Sequence, residues 1–270
     1  MLLSVLGVLL MGCSQHEVGG HTAEQVFPDP QVRALANGAC EGDATEVKRL
    51  VGQGVSANAR GEDGFTPLLW ALTCRNQPGI RALLDAGANP NQAAGNYAPM
   101  LVAATYDDPT FLKLLLARGG DPNTAEAEGA DTALQMALSV GIHHKDWRNY
   151  YILLDAGADI NREYKGRTIA ETATSLGQMD KAIELVERGY SHNLDRLARF
   201  ADIRIIDREF PVARKQQRQL LALLKAKGVP VDAIIAKRKA QDAQNEREQR
   251  AYHESLINPK SAPDTTPTTS

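Results

Sequence analysis

The chain has 270 residues, 43% hydrophobic, 23% charged and only 5% aromatic, with a formal net charge of −3. That is enough apolar content for one large domain or two small ones, and the near-neutral balance leaves no basic excess to neutralise a phosphate backbone, which argues against a nucleic-acid partner. Alanine and leucine carry most of the apolar content, which suits closely packed short helices, and the three cysteines (Cys13, Cys40, Cys74) form no CxxC pair that would suggest a zinc or thioredoxin-like site.

Residues 1–11 read MLLSVLGVLLM. The run is too short to span a bilayer but has the length of a signal-peptide apolar core. It ends in Leu10-Met11-Gly12-Cys13. This resembles the lipobox of bacterial lipoproteins: an aliphatic residue, a tolerant position, a small residue, then cysteine. The resemblance implies that residues 1–12 are a signal peptide and that Cys13 is the lipidated first residue of the mature chain. Each buried acyl CH₂ contributes about 0.8 kcal/mol to membrane retention. Ser14 stands where retention in the inner membrane usually has Asp, so the resemblance implies an outer-membrane lipoprotein of the bacterial cell envelope, facing the periplasm. The sequence departs from the usual pattern in having no Lys or Arg before Cys13. Residues 13–33, with adjacent glycines and two prolines, are expected to form a tether.

The body is repetitive. Leu50-Val51…Gly54, Leu83-Leu84…Gly87, Leu115-Leu116…Gly119, Leu153-Leu154…Gly157 and Leu185-Val186…Gly189 share one ending, each followed by an Asn (Asn58, Asn91, Asn123, Asn161, Asn193). The glycines are spaced by 33, 32, 38 and 32 residues. The unit openings recur as well: Thr66-Pro67-Leu68 leads to Ala71, Pro99-Met100-Leu101 to Ala103, Thr132-Ala133-Leu134 to Ala137, and Thr168-Ile169-Ala170 to Ala173. This resembles the ankyrin repeat, a unit of about 33 residues, and the likeness covers residues 34–194, with a degenerate sixth unit to Gly228. It implies an all-α ankyrin-repeat solenoid of about five to six stacked helix-turn-helix units over residues 34–228.

Each repeated residue has a structural reason. Thr66 can cap a first helix and Pro67 fits its first turn. The recurrent alanines allow close helix approach, and the leucine pairs fill the space between layers. The glycines suit the left-handed position past a helix end, and the Asn residues can tie down the loop. Two departures stand out. The histidine that usually follows Thr-Pro-Leu is replaced by Leu69, and the fourth unit carries extra residues around Ile142–Arg148, expected to lengthen the inter-helix turn. Beyond Pro230, residues 229–257 read as a charged capping or solvated helix, and the Pro/Thr/Ser-rich residues 258–270 as a disordered tail.

No GxSxG, Walker A, GxGxxG or HExxH motif occurs, so no enzyme activity, cofactor or metal is expected. Adjacent His143 and His144 point about 100° apart on a helix, which suits a solvent-facing pair better than a metal site. Cys40 and Cys74 fall near the ends of neighbouring first helices. Stacked helices lie about 10 Å apart, beyond the roughly 7 Å reach of a disulfide, so buried free thiols are the default; their registers differ by one position, which leaves a disulfide open.

The resemblance implies that the partner is another protein, bound through hairpin tips and the concave groove of first helices. The tip candidates are Glu62, Asp63, Phe65, Asn96, Tyr97, Tyr164, Lys165 and Arg167, with Glu126, Glu128 and Asp131 in the third tip. The groove candidates are Thr73, Thr105, Tyr106, Ser139 and Ser175. Exposed Tyr and Phe offer large contact area at low entropy cost, which favours Phe65, Tyr97, Tyr106 and Tyr164. Ankyrin-type lipoproteins also resemble immunity proteins that neutralise toxic effectors such as periplasmic lipases. An envelope scaffold without inhibitory role is the alternative.

Overall fold

A computed structural model describes residues 17–18, 20–95, 97–124, 132–202 and 211–257. Cys13, the signal-peptide segment, Asn96, the tip residues Glu126, Glu128 and Asp131, and the tail 258–270 lie outside the described residues. The chain divides into two compact units, residues 1–169 and 170–270. It is an all-α ankyrin-repeat fold, with helices joined by short loops and a single two-residue strand pair among the described residues, Glu17–Val18 against His21–Thr22.

In the first unit the helices come in pairs: α1 (Ala23–Val26) and then α2 (Pro30–Glu41) with α3 (Ala44–Gly52), α4 (Pro67–Thr73) with α5 (Gln77–Asp85), α6 (Pro99–Ala104) with α7 (Thr110–Leu116), and α8 (Ala133–His144) with α9 (Arg148–Asp155). The helix starts follow from their caps. Thr66 Oγ1 accepts from the Leu69 amide and Thr132 does the same for Gln135, both at 3.2 Å. Asp43 and Asn76 cap the second helices of the first two pairs. Ala98 offers no side-chain cap, and α6 relies on Pro99 in its first turn.

The helix ends repeat more strictly than the starts. Gly87 has φ +90, its amide donates to Leu84 O at 3.1 Å, and the Ala88 amide reaches back to Leu83 O at 2.9 Å. The same two bonds close α3 at Gly54, α7 at Gly119 and α9 at Gly157. This is the left-handed closure that an L residue with a Cβ resists. It sets Leu84 and Leu154, both buried, and the half-buried Leu116 at equivalent places in successive pairs.

The loop asparagines do more than tie down their own loops. Asn58 Nδ2 donates to Gly87 O at 2.9 Å while its Oδ1 accepts from the Asn89 amide at 2.6 Å. Asn91 makes the same pair with Gly119 O and the Asp121 amide, and Asn123 with Gly157 O and the Asp159 amide. Each side chain satisfies the otherwise orphaned end of the next helix, so one residue type both closes a loop and joins two layers.

Three expectations are corrected. Residues 22–33 are not a tether: Thr22 forms a capping box on α1, Asp29 caps α2, and Phe27, 1% exposed, packs edge-on against Trp70 at 5.9 Å. Apolar Val26 and Phe27 supply what an isolated glance at the glycines and prolines missed. The fourth-unit insertion lengthens the helix rather than the turn. Helix α8 has 12 residues where α4 has 7, and Trp147 folds back so closely on Gly141 that a Cβ there would meet its ring at 2.4 Å.

Cys40 and Cys74, expected as free thiols, form a disulfide with Cα atoms 5.3 Å apart. The layers converge here because Gly79 lets α5 seat directly on α2; a Cβ at Gly79 would stand 1.7 Å from Ala39 O. Cys74 also sits one residue past the end of α4, at its cap.

In the second unit, α10 (Ile169–Ser175) leads to α11 (Met179–Glu187), α12 (Leu194–Ala201), α13 (Pro211–Ala226) and α14 (Val231–Ile257). The glycine closure persists at Gly189 and Gly228. Helix α11 packs on α13, and α12 on both α13 and α14. Leu185, Leu197, Leu220 and Leu224 are fully buried. Glu171, 0% exposed, is held by a two-pronged bond from Arg196 at 2.5 and 2.8 Å. From residue 243 to residue 254 helix α14 is exposed along its whole circumference.

Candidate protein-binding face

The first helices α2, α4, α6 and α8 pack side by side, each on the next. Counting from the first residue of each helix, Pro67, Pro99 and Ala133, the seventh residue is Thr73, Thr105 and Ser139. All three are half-exposed. Their hydroxyls are already engaged: Thr73 donates to Trp70 O at 2.6 Å and Thr105 to Val102 O at 2.7 Å, while Ser139 lies beside His143, whose Nδ1 meets Ser139 O at 2.7 Å. In the second unit Ser175 occupies the same place in α10 and donates to Glu171 O at 2.8 Å. Within the first unit the structure thus places Thr73, Thr105 and Ser139 at equivalent positions of successive first helices.

Tyr106 does not belong with them. Two residues past the end of α6, it turns inward and is 2% exposed. Its hydroxyl donates to Leu72 O at 2.7 Å, its ring meets Phe111 edge-on at 5.5 Å, and the Arg75 guanidinium lies 4.3 Å from the ring centre. The ring bridges two repeats, so Tyr106 is a core residue, not a contact site for a partner.

The tips are built by tight turns. Glu62 and Asp63 are exposed on a 3₁₀ turn, where Asp63 takes φ +52, and the Gly61 amide closes the turn onto Phe65 O at 2.8 Å. Phe65 and Tyr97, from consecutive tips, are half-buried with ring centres 6.0 Å apart. The Tyr164–Arg167 tip exposes Lys165 and Arg167, and Lys165 Nζ lies 4.4 Å over the Tyr164 ring. Phe65 and Tyr97 therefore form a shared aromatic edge, whereas Tyr164 is covered by its own neighbour.

Sequence reasoning missed several residues of this face: half-exposed Leu101, Met136 and Ile142 lie on the same helices as the hydroxyls. Only the start of each helix, which sets their phase, could have revealed them. It also missed the corner between α6 and α8. There Arg148 forks onto Asp146 and donates to Asp107 O at 2.7 Å, while His144 Nδ1 meets Asp107 Oδ1 at 3.1 Å. The Arg148 bonds outweigh partial desolvation and hold Asp146 down at about 2. Hydrogen bonds from Thr110 likewise hold Asp108 below the ordinary carboxylate range. Asn149 Nδ2 donates to Tyr106 O at 2.7 Å and to Ala104 O at 3.2 Å, closing the end of α6 from the next repeat. Among the described residues no group of His, Cys, Asp and Glu is placed to hold a metal ion.

The comparisons agree with this architecture. A family model for the ankyrin repeat matches residues 63–94, which run from Asp63 in the first tip through α4, α5 and the following loop. The chain is similar to a mitochondrial disaggregase of Bos taurus, 39% identical over 64 residues; that stretch is 24% of this chain and 10% of the other protein, so the chain spans about a tenth of that relative's length. Ankyrin repeats serve typically as non-catalytic protein–protein interaction modules, and it is as an ankyrin-repeat protein that this chain presents its first-helix face and its tips.

Proposed function

We propose that the chain is a lipid-anchored protein of the bacterial envelope, with Cys13 as the anchoring residue and the ankyrin body as a periplasmic protein-binding module. The Cys40–Cys74 disulfide carries this reading. Such bonds persist in oxidising compartments and are rare in the reducing cytosol. It complements the lipobox-like Leu10-Met11-Gly12-Cys13 run. Among the described residues no helix is long and apolar enough to cross a membrane. The resemblance to immunity proteins supports a sharper form, in which the first-helix face and tips cover a secreted effector such as a lipase.

Metabolic labelling with a clickable fatty acid tests the anchor. The full chain is expected to take up label and fractionate with membranes, and Cys13→Ser to lose both. Label retained in Cys13→Ser, or a wild-type chain with reduced cysteines in cells, overturns the reading. For the inhibitory form, deletion should matter only when the effector is present; an envelope defect in pure culture would instead indicate a scaffold.

A further inference from the structure

Three of the four first helices, α4, α6 and α8, share a property that their neighbours lack, whereas α2 carries Arg33 and Glu41. Across α4, α6 and α8, of 7, 6 and 12 residues, there is no Asp, Glu, Lys or Arg, although 23% of the chain is charged. The paired second helices carry charge in every case: Arg81 and Asp85 on α5, Lys113 on α7, Arg148 and Asp155 on α9. The half-exposed side chains of the face are Thr73, Leu101, Thr105, Met136, Ser139 and Ile142. The threonine hydroxyl protons are already given to their own helices. A partner covering this face therefore strands no charge and few donors, so desolvation costs little for an apolar occupant and much for a charged one. At the N-terminal edge of α4 the surface becomes acidic, with exposed Glu62 and Asp63 beside the Phe65–Tyr97 edge.

Building on the protein-binding reading above, we infer that this face holds an apolar segment of the partner that carries Lys or Arg at one end, the apolar side lying over α4, α6 and α8 and the basic end reaching Glu62 and Asp63. Charge complementarity selects this occupant. An acidic segment would meet Glu62 and Asp63 with like charge, and a uniformly basic one would bury cations over helices that offer no carboxylate.

Site-specific photo-crosslinking in the native cell tests it. A photoreactive residue is placed at Thr105, at Ser139 as a second position on the face, and at Lys113 on the exposed side of α7, keeping only variants that melt within a few degrees of the wild type. The expected result is crosslinking from positions 105 and 139 to a segment with apolar residues at helical spacing and Lys or Arg at one end. A synthetic peptide of that segment should lose at least tenfold in affinity on Thr105→Glu and severalfold on the double change Glu62→Gln, Asp63→Asn. Crosslinks to a segment charged throughout, or from position 113 alone, overturn this inference and leave the protein-binding reading standing. No crosslink from any of the three positions overturns both.

Discussion

The two units of the molecule solve the same problem with different chemistry. Between the repeats of residues 58–159 the recurring bonds between neighbouring layers are neutral, with one ion pair, Arg118 to Asp85, beside them: Asn58, Asn91 and Asn123 each reach a glycine carbonyl and a backbone amide of the next repeat. In residues 170–257 ion pairs carry more of the joining, beside a neutral bond from Gln217 Nε2 to Ala201 O at 2.7 Å. Arg196 holds the buried Glu171, Arg238 bridges Asp202 and Asp242, and Lys225 meets Asp232. A neutral bond to backbone needs only the right loop geometry and can be copied from repeat to repeat. A buried carboxylate needs one particular guanidinium, so it marks a place where the pattern stops being copied.

The largest effect should therefore come from the ionic region. Arg196→Leu removes the two-pronged bond to the buried Glu171 and should cost about 3–5 kcal/mol, read by urea unfolding, whereas the double change Glu171→Leu, Arg196→Leu should recover most of that loss. If the single and double variants are equally damaged, packing rather than charge holds this region. Next is the disulfide. Replacing Cys40 and Cys74 by alanine opens a link between residues 34 positions apart and should cost about 3–4 kcal/mol, seen as a lower melting temperature that reductant no longer changes. Gly79→Ala drives a methyl into Ala39 O and should cost about 1–3 kcal/mol in the same assay. Asn91→Ala, removing three bonds between layers, should cost about 1–2 kcal/mol.

The smallest effect is that of pH. Asp146 has its carboxyl lowered in the folded chain from 3.8 to about 2, chiefly by the Arg148 bond. A lowered folded value means the contribution is present above about pH 4 and is lost as pH falls toward 2. Because the pair is at the surface, its worth is about 0.2–1 kcal/mol. Asp146→Asn should lower stability at pH 7 by that amount and leave the two proteins nearly equal near pH 2, where Asp146 no longer contributes.

Much of this was legible in the sequence, for a definite reason. A glycine in a left-handed position and an asparagine bonded to backbone are one-residue solutions to a local problem, so their spacing declares the repeat without knowledge of the partner surface. What was not legible depends on two elements meeting. Tyr106 reads as an exposed tyrosine until Leu72 O and Phe111 are placed around it. Cys40 and Cys74 read as too distant until Gly79 removes the Cβ that would hold the layers apart. The extra residues near Trp147 read as a longer loop until Gly141 gives that ring a seat and α8 continues beneath it. The candidate face was half legible: the hydroxyl register could be picked out by type, but Leu101, Met136 and Ile142 required the phase of each helix.

Residue-resolved hydrogen exchange on Asn123→Ala tests the layered joining most directly. The Asp159 amide, which donates to Asn123 Oδ1 at 2.6 Å, should lose protection by roughly tenfold or more, while the Asp121 amide, held by Asn91, keeps its own. Unchanged protection at Asp159, or equal loss at both amides, would contradict a body built of separately stapled layers.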